Sequence, residues 1–215
     1  MIKGVIFDMD GTMIDNMMVH HRAWQRTLAD LNLKLTLEEV KEHIHGINSE
    51  ILERLFGDRF TPEQRRQISA KKEAAYREIF LPELQLIPGL PDFLDSLKAA
   101  NIPMAIGTAA PRENVEYVMA NLNLQNYFRG VFDAQSVRRG KPDPEIFELA
   151  AASMGLSADQ CLIFEDSLTG AEAAKRARAK SIIVTTTHAE EEFEHFDNII
   201  RFVKDFKEME MDFLG

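Results

Sequence analysis

Short apolar runs that alternate with helical patterns are the feature that most constrains the fold of this chain. The runs lie at residues 5–7, 104–106, 131–132, 161–164 and 181–184. Between them, apolar side chains recur at helical spacing, as at Leu90, Phe93, Leu94 and Leu97. Alternating strands and helices are typical of α/β proteins, in which helices cover a parallel sheet. We therefore predict an α/β fold with a parallel sheet.

Residues 16–80 interrupt this alternation. They contain no convincing strand pattern, whereas helix starts follow one another along the segment. Thr36 with Glu39 and Thr61 with Gln64 both match the capping box that opens many helices. We predict a helical cap domain inserted after the first strand, with hinges at its two junctions. The predicted domains are a core at 1–15 and 81–215 and a cap at 16–80.

Composition argues against several classes of partner. A formal net charge of -10 disfavours nucleic acid, which is bound through basic surfaces, and offers anionic lipid no attraction. No apolar stretch approaches the ~18 residues of a membrane span, and no secretory h-region follows Met1. The single cysteine, Cys161, excludes an intramolecular disulfide and favours a reducing compartment. We expect a soluble, cytoplasmic monomer without a nucleic-acid or membrane partner.

Two aspartates follow the first predicted strand, in the stretch Phe7-Asp8-Met9-Asp10-Gly11-Thr12. Their carboxylates can project into the crevice beyond the strand ends, where ligands bind in open α/β sheets. Close carboxylates repel, so the pair is tolerable where a divalent cation lies between them or one carries a proton. Such a loop can supply a nucleophile and a general acid/base. The alternative is two surface aspartates in a glycine turn.

Polar residues also follow two later strands. Thr108 and neighbouring backbone N–H groups, including that of Ala109, could hold phosphoryl oxygens at a helix start, although Thr108 could equally serve as a helix cap. Glu165 and Asp166 end the fourth apolar run, where hard oxygen ligands suit Mg²⁺. Asp166 or Ser167 could at the same time cap the following helix.

Lys141 lies in a proline-flanked loop, Arg138-Arg139-Gly140-Lys141-Pro142-Asp143-Pro144, before a predicted helix. There its ammonium could neutralise charge that develops on a transferred phosphoryl group. A solvated lysine is the alternative. Four polar features thus fall at one predicted edge of the sheet.

These four features resemble the signature of the haloacid dehalogenase-like hydrolase superfamily, and the similarity extends along the whole chain. Its beta-phosphoglucomutase and sugar-phosphatase branch is most similar, because the cap follows the first strand. The resemblance implies a Rossmann-like core with helices on both faces of the sheet. It further implies that Asp8 attacks phosphorus to form an aspartyl-phosphate, and that Asp10 protonates the leaving oxygen and then activates the acceptor. Thr108 and Lys141 would hold the phosphoryl group.

By the same resemblance the cofactor is Mg²⁺. Its expected ligands are the Asp8 carboxylate, the backbone carbonyl of Asp10 and Asp166, with Glu165 as a further ligand or as a support of the others. Physical reasoning agrees with these roles, because phosphoryl transfer depends mostly on positioning and on spreading charge over a metal and a lysine.

Cap residues are expected to bind the rest of the substrate. His20 resembles a beta-phosphoglucomutase histidine that couples cap closure to substrate, and Lys72 resembles a substrate-contacting lysine. His20 also lies beside a helical apolar stripe, which favours a structural role as the alternative. The loop at 44–50 offers further polar groups at His45, Asn48 and Ser49.

Ser49 separates two possible reactions. At its position the mutase pattern has an arginine that grips the second phosphate of a bisphosphate intermediate, and a serine cannot replace that bidentate cation. We therefore predict a Mg²⁺-dependent phosphatase for a small phosphorylated metabolite, with a sugar phosphate as the expected substrate. A beta-phosphoglucomutase-type phosphomutase is the alternative.

Two other functions are less consistent with the sequence. A non-catalytic binding module would tolerate replacements at the catalytic positions, yet every one of them carries the required residue type. The dehalogenase branch works without the metal, and the loop at 10–12 with the acids at 165–166 fits the phosphotransferase pattern better.

Overall fold

Six strands of the computed structural model, which describes residues 1–44 and 47–212, form one parallel sheet. The strands are β1 (Gly4–Phe7), β2 (Met104–Gly107), β3 (Gly130–Phe132), β4 (Cys161–Glu165), β5 (Lys180–Val184) and β6 (Ile199–Val203). Their spatial order is β3-β2-β1-β4-β5-β6. The predicted α/β class is confirmed, and each apolar run predicted as a strand lies in one.

β6 was not predicted. Its residues are half-buried or exposed, and Arg201 lies at its centre. It is an edge strand whose one hydrogen-bonded neighbour is β5. A strand that is not buried on both faces lacks the continuous apolar run that identifies the central strands of a parallel sheet.

Helices account for most of the remaining elements of the described chain. They are α1 (Met17–Asp30), α2 (Leu37–His43), α3 (Asn48–Phe56), α4 (Pro62–Phe80), α5 (Leu90–Ala99), α6 (Arg112–Asn121), α7 (Glu145–Ser153) and α8 (Leu168–Arg176). The helical stripe predicted at α5 is buried at all four of its apolar positions. Among the described residues, no helix combines the length and the apolar character needed to cross a bilayer.

The chain divides into two compact units. One unit contains the sheet and comprises Met1–Asp15 and Gln85–Gly215, and the other is Asn16–Leu84. The predicted second junction follows Phe80, where the structure continues with a short 3₁₀ turn at Leu81–Glu83. We call these units the core and the cap.

The cap is helical, and its interior forms around α1 and α4. The apolar stripe of α1 is buried, including Trp24 and Leu28. Both predicted capping boxes are present, with Thr36 and Thr61 each accepting a hydrogen bond from the third residue of its helix. Such caps satisfy backbone N–H groups that a helix leaves unpaired at its start, and each contributes about 1 kcal/mol.

Aromatic packing fixes the strand ends of the core. The Phe7 and Phe164 rings stack with centroids 5.0 Å apart, and both lie against Phe206. Each such pair contributes about 0.5–1.5 kcal/mol beyond the burial of its surface. Because Phe7 precedes Asp8 and Phe164 precedes Glu165, this packing holds the backbone from which two predicted site residues project.

Candidate active site

The register of the sheet brings two predicted acids to the same level. Phe7 of β1 lies opposite Phe164 of β4, so Asp8 and Glu165 follow at adjacent strand ends. Strand order also reverses between β1 and β4, since the chain builds β2 and β3 on one side of β1 and then crosses to the other. Ligands bind at such switch points in open α/β sheets.

Asp8 begins a tight loop that closes on itself. Its N–H donates to the Phe164 carbonyl at 2.9 Å, and its side chain is 5% exposed. The N–H groups of Met13 and Ile14 both donate to the Met9 carbonyl, so the chain turns back on itself over residues 10–12. Asp8 is therefore held by the sheet on one side and by this turn on the other.

Lys141 joins two of the acids. Its Nζ donates to Asp8 Oδ1 and to Glu165 Oε1, each at 2.6 Å. The ammonium also lies 4.6 Å from the centroid of the Phe147 ring. Since the Lys141 side chain is 6% exposed, the alternative of a solvated lysine is wrong.

Glu165 is held more firmly than its neighbours. Its Oε2 accepts hydrogen bonds from the N–H groups of Asp166 and Ser167, both at 2.8 Å, and from the Ser167 hydroxyl at 2.9 Å. Ser167 is also the N-cap of α8, because its hydroxyl accepts from the N–H of Gly170 at 3.0 Å. The helix cap expected at Asp166 or Ser167 is thus Ser167.

Three carboxylates meet at this edge of the sheet. Asp8, Glu165 and Asp166 are buried, and each offers an oxygen within 4.8 Å of the others. Oxygen ligands of this kind suit a hard divalent cation. Against three carboxylates, Lys141 supplies one positive charge, so a further cation fits the charge of the cluster.

Electrostatics confirm the crowding. Burial raises the pKa of Asp8 to about 7. Attraction to Lys141 offsets part of this effect, and repulsion from Glu165 adds to it. Burial also raises the pKa of Asp166 well above its usual value, as does repulsion from Glu165 and Asp8. Burial is the largest single effect on Glu165 and Lys141 and acts against their charged forms, yet charge attraction and hydrogen bonds together outweigh it. Lys141 and the N–H groups of Ser167 and Asp166 thereby lower the pKa of Glu165, and Asp8 and Glu165 raise that of Lys141. Lys141 therefore stays protonated.

Two further predicted core residues follow β2. Thr108 is buried, and its hydroxyl accepts from the N–H of Ala110 at 3.2 Å within a turn, whereas the N-cap of α6 is Pro111, so the alternative of a helix cap at Thr108 is wrong. A hydroxyl that accepts one bond still has its own proton to donate, so this turn leaves the predicted phosphoryl contact open. Ala109 is exposed.

Asp10 is half-buried in the loop after β1, and its backbone bridges to Ile14. Its charge contributes to the raised pKa of Asp8. The ligand expected from Asp10 is its backbone carbonyl, whereas the carboxylate was assigned to proton transfer.

Within the cap, two predicted residues contact each other. Lys72 Nζ lies 2.8 Å from His20 Nδ1, and since an ammonium can only donate, this imidazole nitrogen accepts. The His20 ring stacks on Tyr76 with centroids 4.1 Å apart. Lys72 also pairs with Glu73 at 2.9 Å, and Asn48 donates to the same Glu73 oxygen at 2.8 Å.

Ser49 lies in an exposed groove rather than in the cluster of His20, Lys72 and Glu73. It is the second residue of α3, is exposed, and lines a groove of about 520 Å³ with Asn48, Arg65, Arg66 and Ser69 among others. His45, the remaining predicted cap residue, lies outside the described residues.

Sequence reasoning missed a polar segment at the end of β5. Thr187 donates to Asp166 Oδ2, and Thr186 donates to the Gly11 carbonyl. His188 Nδ1 lies 3.2 Å from the Asp166 carbonyl. The signal was present, because these residues follow an apolar run just as Thr108 follows β2.

Comparison with known proteins shows the family of this chain. The family model of the haloacid dehalogenase-like hydrolases matches residues 2–178. The chain belongs to that family. The resemblance inferred from the motifs is thereby confirmed.

Two curated members of the family are each 30% identical to this chain. One is fructose-1-phosphate phosphatase YqaB of Escherichia coli (strain K12), aligned over 84% of this chain and 95% of that protein. The other is beta-phosphoglucomutase of Bacillus subtilis (strain 168), aligned over 82% and 80%. A crystal structure of a HAD hydrolase of family IA, variant 3, from Entamoeba histolytica has a TM-score of 0.90 at 24% identity over 98% of this chain and 96% of that one. This last likeness concerns the fold.

The close approach of Gly170 to the Glu165 side chain can be tested by substitution. A Cβ at Gly170 would lie 1.8 Å from the Glu165 carboxylate, which is fixed by Lys141 and three donors. Gly170→Ala should therefore lower the free energy of unfolding by about 1–3 kcal/mol, as overpacking does. Urea denaturation measures this change. Gly140→Ala is the matched control, since a Cβ there meets nothing within 4 Å and should cost less than about 0.5 kcal/mol. Equal stabilities for the two variants would contradict the prediction.

Proposed function

We propose that this family member is a Mg²⁺-dependent phosphatase that hydrolyses a small phosphorylated metabolite, with a sugar phosphate as the substrate class. The observation that carries the proposal is the buried ion pair of Lys141 with Asp8 beside two further acids. Names of the relatives support it, because one is a sugar-phosphate phosphatase and the other moves a phosphoryl group on glucose. Both are phosphoryl-transfer enzymes, and so is this protein.

Asp8 is the proposed nucleophile. One of its carboxylate oxygens forms a bond to phosphorus while the bond from phosphorus to the sugar oxygen breaks. That oxygen takes a proton from the Asp10 carboxyl as it leaves. In the second half, Asp10 removes a proton from water, the water oxygen bonds to phosphorus, and the bond to Asp8 breaks to release inorganic phosphate.

Other residues hold the phosphoryl group during transfer. Lys141 offsets negative charge on its oxygens, and its two carboxylate partners fix the ammonium in place. The Thr108 hydroxyl and the backbone N–H of Ala109 would donate to those oxygens. In-line positioning and charge compensation of this kind account for most of the rate enhancement in phosphoryl transfer.

The residues fit a divalent cation, since three buried carboxylates approach within 4.8 Å and face the single charge of Lys141. Asp8, the Asp10 carbonyl and Asp166 would hold Mg²⁺. Glu165 already uses Oε2 for three donors, and its Oε1, which accepts from Lys141, is the oxygen that would serve as a further ligand or support. When bound, the metal would supply charge stabilisation to phosphoryl oxygens.

Asp8→Asn tests the nucleophile. An amide is not a nucleophile toward phosphorus, so phosphate release from sugar phosphates should fall to the background rate. A colorimetric phosphate assay in Mg²⁺ measures this, with circular dichroism to confirm the fold. Asp92→Asn, on the exposed face of α5, should keep full activity.

Chelation of Mg²⁺ by EDTA should likewise stop phosphate release by the unmodified protein. Full activity of Asp8→Asn would end the proposal, and unchanged rates in EDTA would favour the metal-independent dehalogenase branch.

Two observations in the cap favour hydrolysis over mutase chemistry. Ser49 cannot grip a second phosphate as an arginine would. Lys72 is already paired with Glu73. Burial raises the pKa of Glu73, but Lys72, His20 and Asn48 outweigh it and hold this pKa below its usual value, so the carboxylate is ionised at neutral pH. A second phosphate would compete with Glu73 for the ammonium.

The phosphomutase alternative is therefore testable by product analysis. We expect β-glucose 1-phosphate, where it is accepted, to yield inorganic phosphate and glucose. Phosphorus NMR distinguishes this from isomerisation, with and without a trace of glucose 1,6-bisphosphate. Accumulation of glucose 6-phosphate would contradict the phosphatase proposal and favour the phosphomutase, for which His20 and Lys72 would be the cap contacts.

Glu73→Gln tests whether the cap pair limits the substrate. The amide keeps the shape of the side chain and removes its charge, which releases the Lys72 ammonium for a second phosphate. The ratio of kcat/KM for fructose 1,6-bisphosphate to that for fructose 1-phosphate should rise by about tenfold, since a charge-assisted hydrogen bond contributes roughly 1.5–3 kcal/mol. Glu78→Gln makes the same charge change on α4 at an exposed pair with Arg26 and should leave the ratio unchanged. An unchanged ratio in Glu73→Gln would refute a limiting role of the pair.

The expected location, oligomeric state and partners of the protein rest on its sequence alone. A cytoplasmic location, a monomeric state and the lack of a nucleic-acid or membrane partner stay predictions. A non-catalytic binding role is disfavoured, because the acids and Lys141 are present and in contact.

A further inference from the structure

Three successive residues of the segment that follows β5 contact either the acid cluster or the loop after β1. Thr186 donates to the Gly11 carbonyl, Thr187 donates to Asp166 Oδ2, and His188 Nδ1 lies 3.2 Å from the Asp166 carbonyl. Thr185, which precedes them, instead bonds the Val203 carbonyl of β6 through its N–H and its hydroxyl. The polar segment thus changes from sheet pairing to site contacts within one residue.

Asp166 differs from the other two acids in how its carboxylate is held. Lys141 donates to Asp8 and Glu165. The carboxylate of Asp166 instead has hydroxyl partners, Thr187 at Oδ2 and Thr12 at 3.5 Å from Oδ1. Of these two contacts, that of Thr187 is the closer. Thr187 is therefore the main hydrogen-bond donor to this carboxylate.

Packing at Gly11 encloses the same contact. Gly11 has φ of +79°, and a Cβ there would lie 2.1 Å from Asp166 Oδ2 and 2.9 Å from Thr187 Oγ1. The backbone of Gly11 thus passes directly over the hydrogen bond, and Thr186 fixes its carbonyl. The Thr187 hydroxyl is confined between the loop after β1 and the end of β4.

Confinement of this kind sets the orientation of a carboxylate. The terminal torsion of an aspartate is broad and has two equivalent positions, so an unrestrained carboxylate rotates readily. A hydroxyl bound to one oxygen fixes the plane of the group and leaves the other oxygen for a ligand. Outer partners that hold a metal ligand in this way typically change metal affinity by about 10–100-fold when they are removed.

We propose that Thr187 is a positioning residue that orients the Asp166 carboxylate for the divalent cation. This inference rests on the proposed function, which assigns Asp166 as a ligand of Mg²⁺. It adds a residue from the segment after β5 to a site otherwise drawn from the ends of β1, β2 and β4 and from the loop of Lys141.

Calorimetric titration of MgCl₂ into the full chain tests the inference directly. Thr187→Val keeps the shape of the side chain without its hydroxyl, and the Kd for Mg²⁺ should rise by about 10–100-fold. Thr187→Ser restores the hydroxyl and should return the Kd to near that of the unmodified protein. Thr185→Val removes a neighbouring hydroxyl that bonds β6, and its Kd should not change. Thr187→Ala is a second hydroxyl-free variant for use where the valine disturbs folding.

Activity provides an independent readout. In Thr187→Val the Mg²⁺ concentration for half-maximal phosphate release should rise by the same factor, while kcat at saturating Mg²⁺ changes much less. Tight Mg²⁺ binding by both hydroxyl-free variants would overturn the role of Thr187 and leave the proposed function intact. Lack of Mg²⁺ binding by the unmodified protein would remove the proposed metal and this inference together.

Discussion

The ammonium of Lys141 between Asp8 and Glu165 is the interaction on which the rest of the site depends. Its partners belong to separate segments, since Asp8 follows β1, Glu165 ends β4 and Lys141 lies between β3 and α7. Buried carboxylates repel one another, and their desolvation is costly unless an opposite charge is in contact. Removing one partner of such a pair costs about 3–5 kcal/mol, because the other charge stays buried. One ion pair therefore joins three parts of the chain and keeps the nucleophile candidate beside its charge partner.

The topology of the sheet explains why these segments meet. β1 lies near the centre of the order β3-β2-β1-β4-β5-β6, and its two neighbours, β2 and β4, both follow it in the chain but lie on opposite sides of it. Parallel strands all end at one edge, so residues that are far apart in sequence converge wherever adjacent strands end at the same level. The stacked rings of Phe7 and Phe164 fix that level for Asp8 and Glu165. Aromatic packing thus positions the Asp8 and Glu165 carboxylates by fixing the backbone that carries them.

Much of the core could be predicted from the sequence, because its signals are local. A polar residue at the end of an apolar run identified Asp8, Thr108 and the acids of β4 without knowledge of any contact. Two kinds of feature were missed for physical reasons. β6 is partly exposed, so burial did not impose a continuous apolar run on it. The bond from Thr187 to Asp166 joins residues 21 positions apart, and nothing in the local pattern indicates which threonine of three makes it. The pairing of Lys72 with Glu73 was likewise invisible, since adjacent residues on a helix need not contact each other.

Charge balance distinguishes the two polar clusters, one in the core and one in the cap. In the core, three carboxylates face one ammonium, so the cluster gains from a further cation and, through it, from a phosphoryl group. In the cap, Lys72 is matched by Glu73 and also donates a hydrogen bond to His20 Nδ1. A pair that is already neutral gains little from a further negative charge, but its donors and acceptors can still exchange hydrogen bonds with hydroxyl groups. The core cluster thus lacks a positive charge that the cap pair already has, because one ammonium faces three carboxylates in the core and one carboxylate in the cap.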